Sequence, residues 1–82
     1  MLKDSVVKAF CVSFSKALKT EREKKKLSMN AVAQMAGISQ QMVSYIERGM
    51  RSPSLETLYR LSHALEINPW VLIQRAARES ED

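Results

Sequence analysis

Cysteine occurs once in this chain, so no disulfide can close within it, and a reducing compartment is the expected setting. Glycine and proline occur twice each, and no run alternates as a half-buried strand does. Helices are what remain. His63 and Cys11 have no partners at ligand spacing, so neither a metal nor another cofactor is expected. There is no glycine-rich phosphate loop and no base beside Cys11 or His63, and Glu56 and Glu66 read as ordinary helix acids. An enzyme is not expected. No apolar run approaches the roughly 20 residues of a membrane span. Lys3 and Asp4 precede a mixed amphipathic segment, which is unlike a signal peptide. A cytoplasmic protein with no membrane partner is the simplest expectation.

What is present is charge, unevenly spread. The net charge over 82 residues is +4. Residues 1–26 hold eight Lys/Arg against three acids, and residues 64–82 hold two against four. Residues 27–46 hold no charged side chain at all. Cationic flanks around an uncharged unit suit a polyanion, because they supply a salt-dependent phosphate attraction. Solubility alone would also explain a modest positive charge.

The uncharged unit has a corner in it. Gly37 supplies the positive φ that a sharp reversal needs. Ala33, four residues earlier, is small enough for two helices to cross closely. Val43 and Ile46 lie three apart and share the inward face of the following helix. This is the spacing of a helix-turn-helix, whose second helix reads the major groove of DNA.

Five helices are expected, in one compact all-α bundle spanning residues 1–82 with its core in 14–73. The first covers residues 5–26, with Val7, Phe10, Phe14, Ala17 and Leu18 as its apolar stripe. Lys24, Lys25 and Lys26 close it, opposing the helix dipole or clamping a phosphate. Ser28 caps a second helix at 29–36, and Ser39 a third at 40–48, which Gly49 stops. Ser54 caps a fourth at 55–66, with Leu55, Leu58, Leu61 and Leu65 on its buried face. Asn68-Pro69 starts a fifth, to about Ala77. Residues 78–82 should fray. With no second domain visible, no small-molecule effector site is expected here.

Arg22, Leu27-Ser28, Ala33, Gly37, Ser39, Ile46-Glu47-Arg48-Gly49, Pro53-Ser54-Leu55, Leu58, Leu61, Ala64 and Leu65 form an ordered set. That set resembles the lambda-repressor and Cro-like (XRE-type) helix-turn-helix family. In length and five-helix layout the chain also resembles, less specifically, the small controller proteins of restriction–modification systems. The family resemblance implies base contacts from Gln40 and Gln41 at the start of the recognition helix, with Ser44 and Tyr45 one turn on. A glutamine amide can donate and accept at adenine N7 and N6 together. Tyr45 could meet a thymine methyl or a phosphate, or pack partly into the core. The resemblance further implies phosphate contacts from Ser28, Ser39, Arg48, Arg51 and Lys26, and a structural ion pair between Arg22 and Glu47. Met29, Met50 and Lys26 depart from the family pattern, which lowers the expected non-specific affinity.

One such domain reads few base pairs, so a homodimer on a palindromic or pseudo-palindromic operator is expected. Trp70, Val71, Leu72 and Ile73 point nearly all round one helix, and Leu72 alone is assigned to the core. Trp70, Val71 and Ile73 are therefore the expected dimer contact, with Val6 and Phe10 able to contribute. The expected activity is transcription regulation, by occupying an operator or by touching RNA polymerase. The alternative is an antitoxin-type interaction module that also binds its own promoter.

Overall fold

In the computed structural model, residues 1–80 are described, and they form five helices and no strand. These are α1 (Asp4–Lys24), α2 (Met29–Ala36), α3 (Gln40–Glu47), α4 (Leu55–Ala64) and α5 (Pro69–Ser80). Three serines start three of them. Ser28, Ser39 and Ser54 each sit in extended backbone and accept a hydrogen bond from the third residue on, the amides of Ala31, Met42 and Thr57. Asn68 Oδ1 accepts from the Trp70 amide at 2.9 Å before the Pro69 turn.

The first four helices end by one shared device. The amides of Leu27, Ile38, Met50 and Ile67 each donate back to the carbonyl five residues earlier, at 3.2, 3.0, 2.9 and 3.0 Å. Each closure passes through a left-handed residue: Lys26 (φ 58°), Gly37 (φ 73°), Gly49 (φ 73°) and Glu66 (φ 54°). Two of these are not glycine, and a side chain in that region costs about 1–2 kcal/mol.

The core draws on every helix. Leu18, Val32, Val43, Ile46, Leu61, Leu65, Leu72 and Ala76 are all sealed from solvent, with Phe14, Ala17, Ala33, Ala36 and Ala64 around them. The alanines lie on all of α1, α2, α4 and α5, where small side chains let neighbouring helices approach. Truncating a sealed leucine to alanine would cost about 2–5 kcal/mol.

Several expectations are corrected. Val7 is 43% exposed and Leu55 is 82% exposed, although both fall on apolar stripes. Both stripes run past the depth at which another helix is present to cover them. Burial along α1 begins at Phe10 and Phe14, leaving its first turns outside the bundle. Leu55 is the first residue of α4, at the rim. Helices α1, α3 and α4 stop one or two residues short of the expected ends, because the left-handed closures intervene. Helix α5 instead runs on to Ser80, so residues 78–80 are helical rather than frayed. Ala76 is sealed against the core and no breaker follows it. The last two residues of the expected frayed tail lie outside the described ones.

Candidate nucleic-acid interface

Helices α2 and α3 meet at the Gly37 corner, and α3 is held by its inner side. Val43 and Ile46 are fully buried, while Gln40 and Gln41 at its start are exposed. Ser44 and Tyr45 are half-buried. The outer side of α3 is thus a short rod of amides and hydroxyls.

This rod carries an ordered cluster. Gln41 Nε2 donates to Tyr45 Oη at 2.7 Å. The guanidiniums of Arg48 and Arg51 lie over the Tyr45 ring at 5.6 and 5.9 Å. Two cations beyond the end of α3 are therefore gathered onto the residue that touches Gln41. Ser28 and Ser39 hold their capping positions at the starts of α2 and α3. Each accepts one amide through its hydroxyl oxygen and keeps its proton to donate elsewhere. Lys26 is exposed, directly before the Leu27-Ser28 start of α2.

The angle of α3 is secured from α1. Arg22 Nε and Nη2 donate to Glu47 Oε2 and Oε1 at 2.6 and 3.0 Å, and Nη1 donates to the Leu27 carbonyl at 2.8 Å. The side chains are only 12% and 4% exposed. Hydrogen bonding to Glu47 holds the Arg22 guanidinium more firmly protonated than usual, against the opposing pull of burial. One arginine so ties the end of α3 to the α1–α2 corner.

Three further side chains, of which sequence reasoning named only Lys25, hold the other corners. Arg60 Nη1 donates to the Ala36 carbonyl at 3.2 Å and packs so tightly on Gly37 that an added Cβ would lie 2.9 Å from it. Lys25 Nζ donates to the Leu65 carbonyl, so the middle of the lysine run serves the α4–α5 corner rather than a phosphate. Glu21 is buried and pairs with Lys25 at 3.5 Å and Arg75 at 3.3 Å. Glu21 was readable, because it extends the Phe14, Ala17, Leu18 stripe by one turn. The Arg60 bond to Ala36 left no local signal, since the two residues are 24 apart.

The expected dimer residues are separated. Trp70 is 64% exposed and Val71 38%. Ile73 instead packs on the core, where it lines a cavity of about 190 Å³ with Phe10, Cys11, Phe14, Arg51, Ser52 and Leu58. Half-buried, it leaves less of its side chain open to a partner than Trp70 or Val71 does. Leu55 and Tyr59 on α4 stand exposed beside Pro69 at the start of α5. Among the described residues, no helix is long and apolar enough to cross a membrane.

The helix-turn-helix family model matches residues 18–69. The chain belongs to the helix-turn-helix family. The match covers α2, α3 and α4 whole and leaves the exposed first turns of α1 outside. An uncharacterized HTH-type transcriptional regulator of Mycobacterium tuberculosis is 36% identical over 59 residues, which is 72% of this chain and 42% of that protein. This helix-turn-helix chain thus spans less than half the length of that relative. Among solved structures, the restriction-modification controller protein C.AhdI from Aeromonas hydrophila superposes with a TM-score of 0.74 at 35% identity, over 76% of this chain and 94% of that one. The clp gene regulator ClgR from Corynebacterium glutamicum gives 0.82 at 25% identity, over 88% and 77%. The helix-turn-helix is a DNA-binding fold, and here it is presented with its second helix outward.

Proposed function

We propose that this chain is a transcription regulator that binds a palindromic or pseudo-palindromic operator as a homodimer, with α3 in the major groove. Gln40 and Gln41 read base edges, with Ser44 and Tyr45 beside them. Arg48, Arg51, Lys26 and the capping serines Ser28 and Ser39 take the phosphates. One observation carries the reading. The rod sealed on one side by Val43 and Ile46 offers paired exposed amides on the other, with two arginines gathered next to them. The regulatory part is supported by likeness to C.AhdI, a controller protein, and to the Mycobacterium tuberculosis HTH-type transcriptional regulator.

Self-association is supported by the exposed apolar side chains Trp70 and Val71 on α5 and Leu55 and Tyr59 on α4. Trp70 would anchor it.

Selection of bound duplexes from a random pool tests the whole reading. The expected result is a two-fold symmetric consensus whose half-sites lie about one helical turn, roughly 34 Å, apart. Failure to bind any duplex at low ionic strength would overturn it. An asymmetric single half-site would overturn the dimer alone, as would Trp70→Ala leaving a sedimenting dimer unchanged.

A further inference from the structure

We propose that the cavity beside the loop after α3 binds a small apolar carboxylate, and that the bound acid draws Arg51 away from DNA. Such a site runs against the expectation of no effector site in this chain. Occupancy of the cavity stands on its own, and the effect on DNA rests on reading Arg51 as a phosphate contact.

The cavity holds about 190 Å³ between α1, α5 and residues 49–53. Its floor is Phe14 and Leu58, which are buried, and its walls are Phe10 and Ile73, which are half-buried. Protein interiors leave few voids larger than a water molecule. An apolar void of about 150 Å³ stays dry and admits benzene, so this one has room for a ring with about one or two further carbons. The floor offers no proton to a polar guest. Ser15 Oγ, on its α1 side, already donates to the Cys11 carbonyl at 3.1 Å. Among the described residues, no buried side-chain nitrogen or oxygen lacks a hydrogen-bond partner. The inner end of a ligand must therefore be apolar.

The mouth has the opposite character. Arg51 and Ser52 are exposed there, and Arg51 is the one charged residue among the described ones that line the cavity. An ammonium ligand would meet that cation with no lining carboxylate to receive it. A sugar would find no donors at the floor. What fits is an apolar body of about six to eight carbons that ends in a carboxylate. A guanidinium receives such a group through two parallel hydrogen bonds.

Arg51 belongs to two surfaces. It lines the cavity, and its guanidinium lies over the Tyr45 ring at 5.9 Å, beside Gln41, which donates to Tyr45 Oη. A carboxylate in the mouth and a phosphate of the duplex compete for this one cation. Acid and DNA therefore weaken each other's binding by the same factor.

Nuclear magnetic resonance on the full chain without DNA tests occupancy. The probes are phenylacetate, its neutral amide and 2-phenylethylammonium, which share a ring and differ in charge. Phenylacetate should give saturating shifts at the backbone amides of Cys11, Ser15, Gly49 and Ile73. It should bind about two- to fivefold tighter than the neutral amide, with the ammonium weakest. Cys11→Phe fills the cavity and should abolish the shifts. Arg51→Gln, at the exposed mouth, should leave binding of the neutral amide unchanged and remove the advantage of the acid. No saturation at millimolar phenylacetate, or an acid bound no better than the other two probes, would overturn the site. Duplex binding then tests the competition, with phenylacetate matched against equal sodium chloride. The acid should lower the salt slope of the wild type by about one unit and leave the slope of Arg51→Gln unchanged. A wild-type slope indifferent to bound acid would overturn the competition. A chain that binds no duplex with or without the acid would overturn the groove reading and leave occupancy of the cavity standing.

Discussion

Two corners flank α2, and an arginine from outside clasps each of them, but the two clasps are built differently. At the α1–α2 corner Arg22 bonds the Leu27 carbonyl and is gripped by Glu47, a carboxylate 4% exposed. At the α2–α3 corner Arg60 bonds the Ala36 carbonyl and is paired with Glu56, which is 76% exposed. The backbone closures are alike, yet one corner turns on Lys26 and the other on Gly37. The first corner is secured by a buried charge pair and tolerates a side chain in the left-handed region. The second has the tip of the Arg60 side chain where a Cβ would point, so a side chain there must push the guanidinium aside. Similar arginine–carboxylate pairs thus do different work according to how much water reaches them.

The largest effect should come from Glu47→Ala, which strands a nearly buried guanidinium and frees the end of α3. Urea unfolding should show a loss of about 3–5 kcal/mol. A loss no larger than that of Glu56→Ala would break the comparison. Gly37→Ala comes next. Its left-handed backbone alone costs about 1–2 kcal/mol, and Arg60 must also retreat from the Ala36 carbonyl. A thermal melt within a degree of wild type would show that the corner yields more easily than its packing indicates. Lys26→Gly runs the other way. It removes the same backbone cost but adds chain entropy to the unfolded state, so a net gain of about 0.5–1 kcal/mol is expected. Glu56→Ala should be smallest, about 0.5 kcal/mol or less, and should vanish in molar salt.

The serine caps, the extent of α2 and the Gly37 corner were legible because each rests on neighbours within a few residues. The depth of burial along a stripe was not. Val7 and Leu55 keep the right period, but period says nothing about whether a second helix is present at that level. The Ala36 clasp was invisible for a related reason, since Arg60 is joined to it only by the fold. Arg22 and Glu47 became a pair through family likeness rather than spacing, and their geometry supplies the physical reason. In the candidate interface, exposure of Gln40 and Gln41 followed from polarity and helix position. The tether between Gln41 and Tyr45 needed coordinates, because a four-residue spacing permits a contact without naming its atoms.

Cys11 is the chain's one thiol, and it opens on the cavity beside the loop that follows α3, with its sulfur 3.6 Å from Ser52 Oγ. The molecule therefore comes with a built-in attachment point. A trifluoromethyl tag placed there would give a single fluorine resonance whose chemical shift follows the Gly49–Pro53 stretch as a duplex is titrated, with no engineered residue anywhere in the protein.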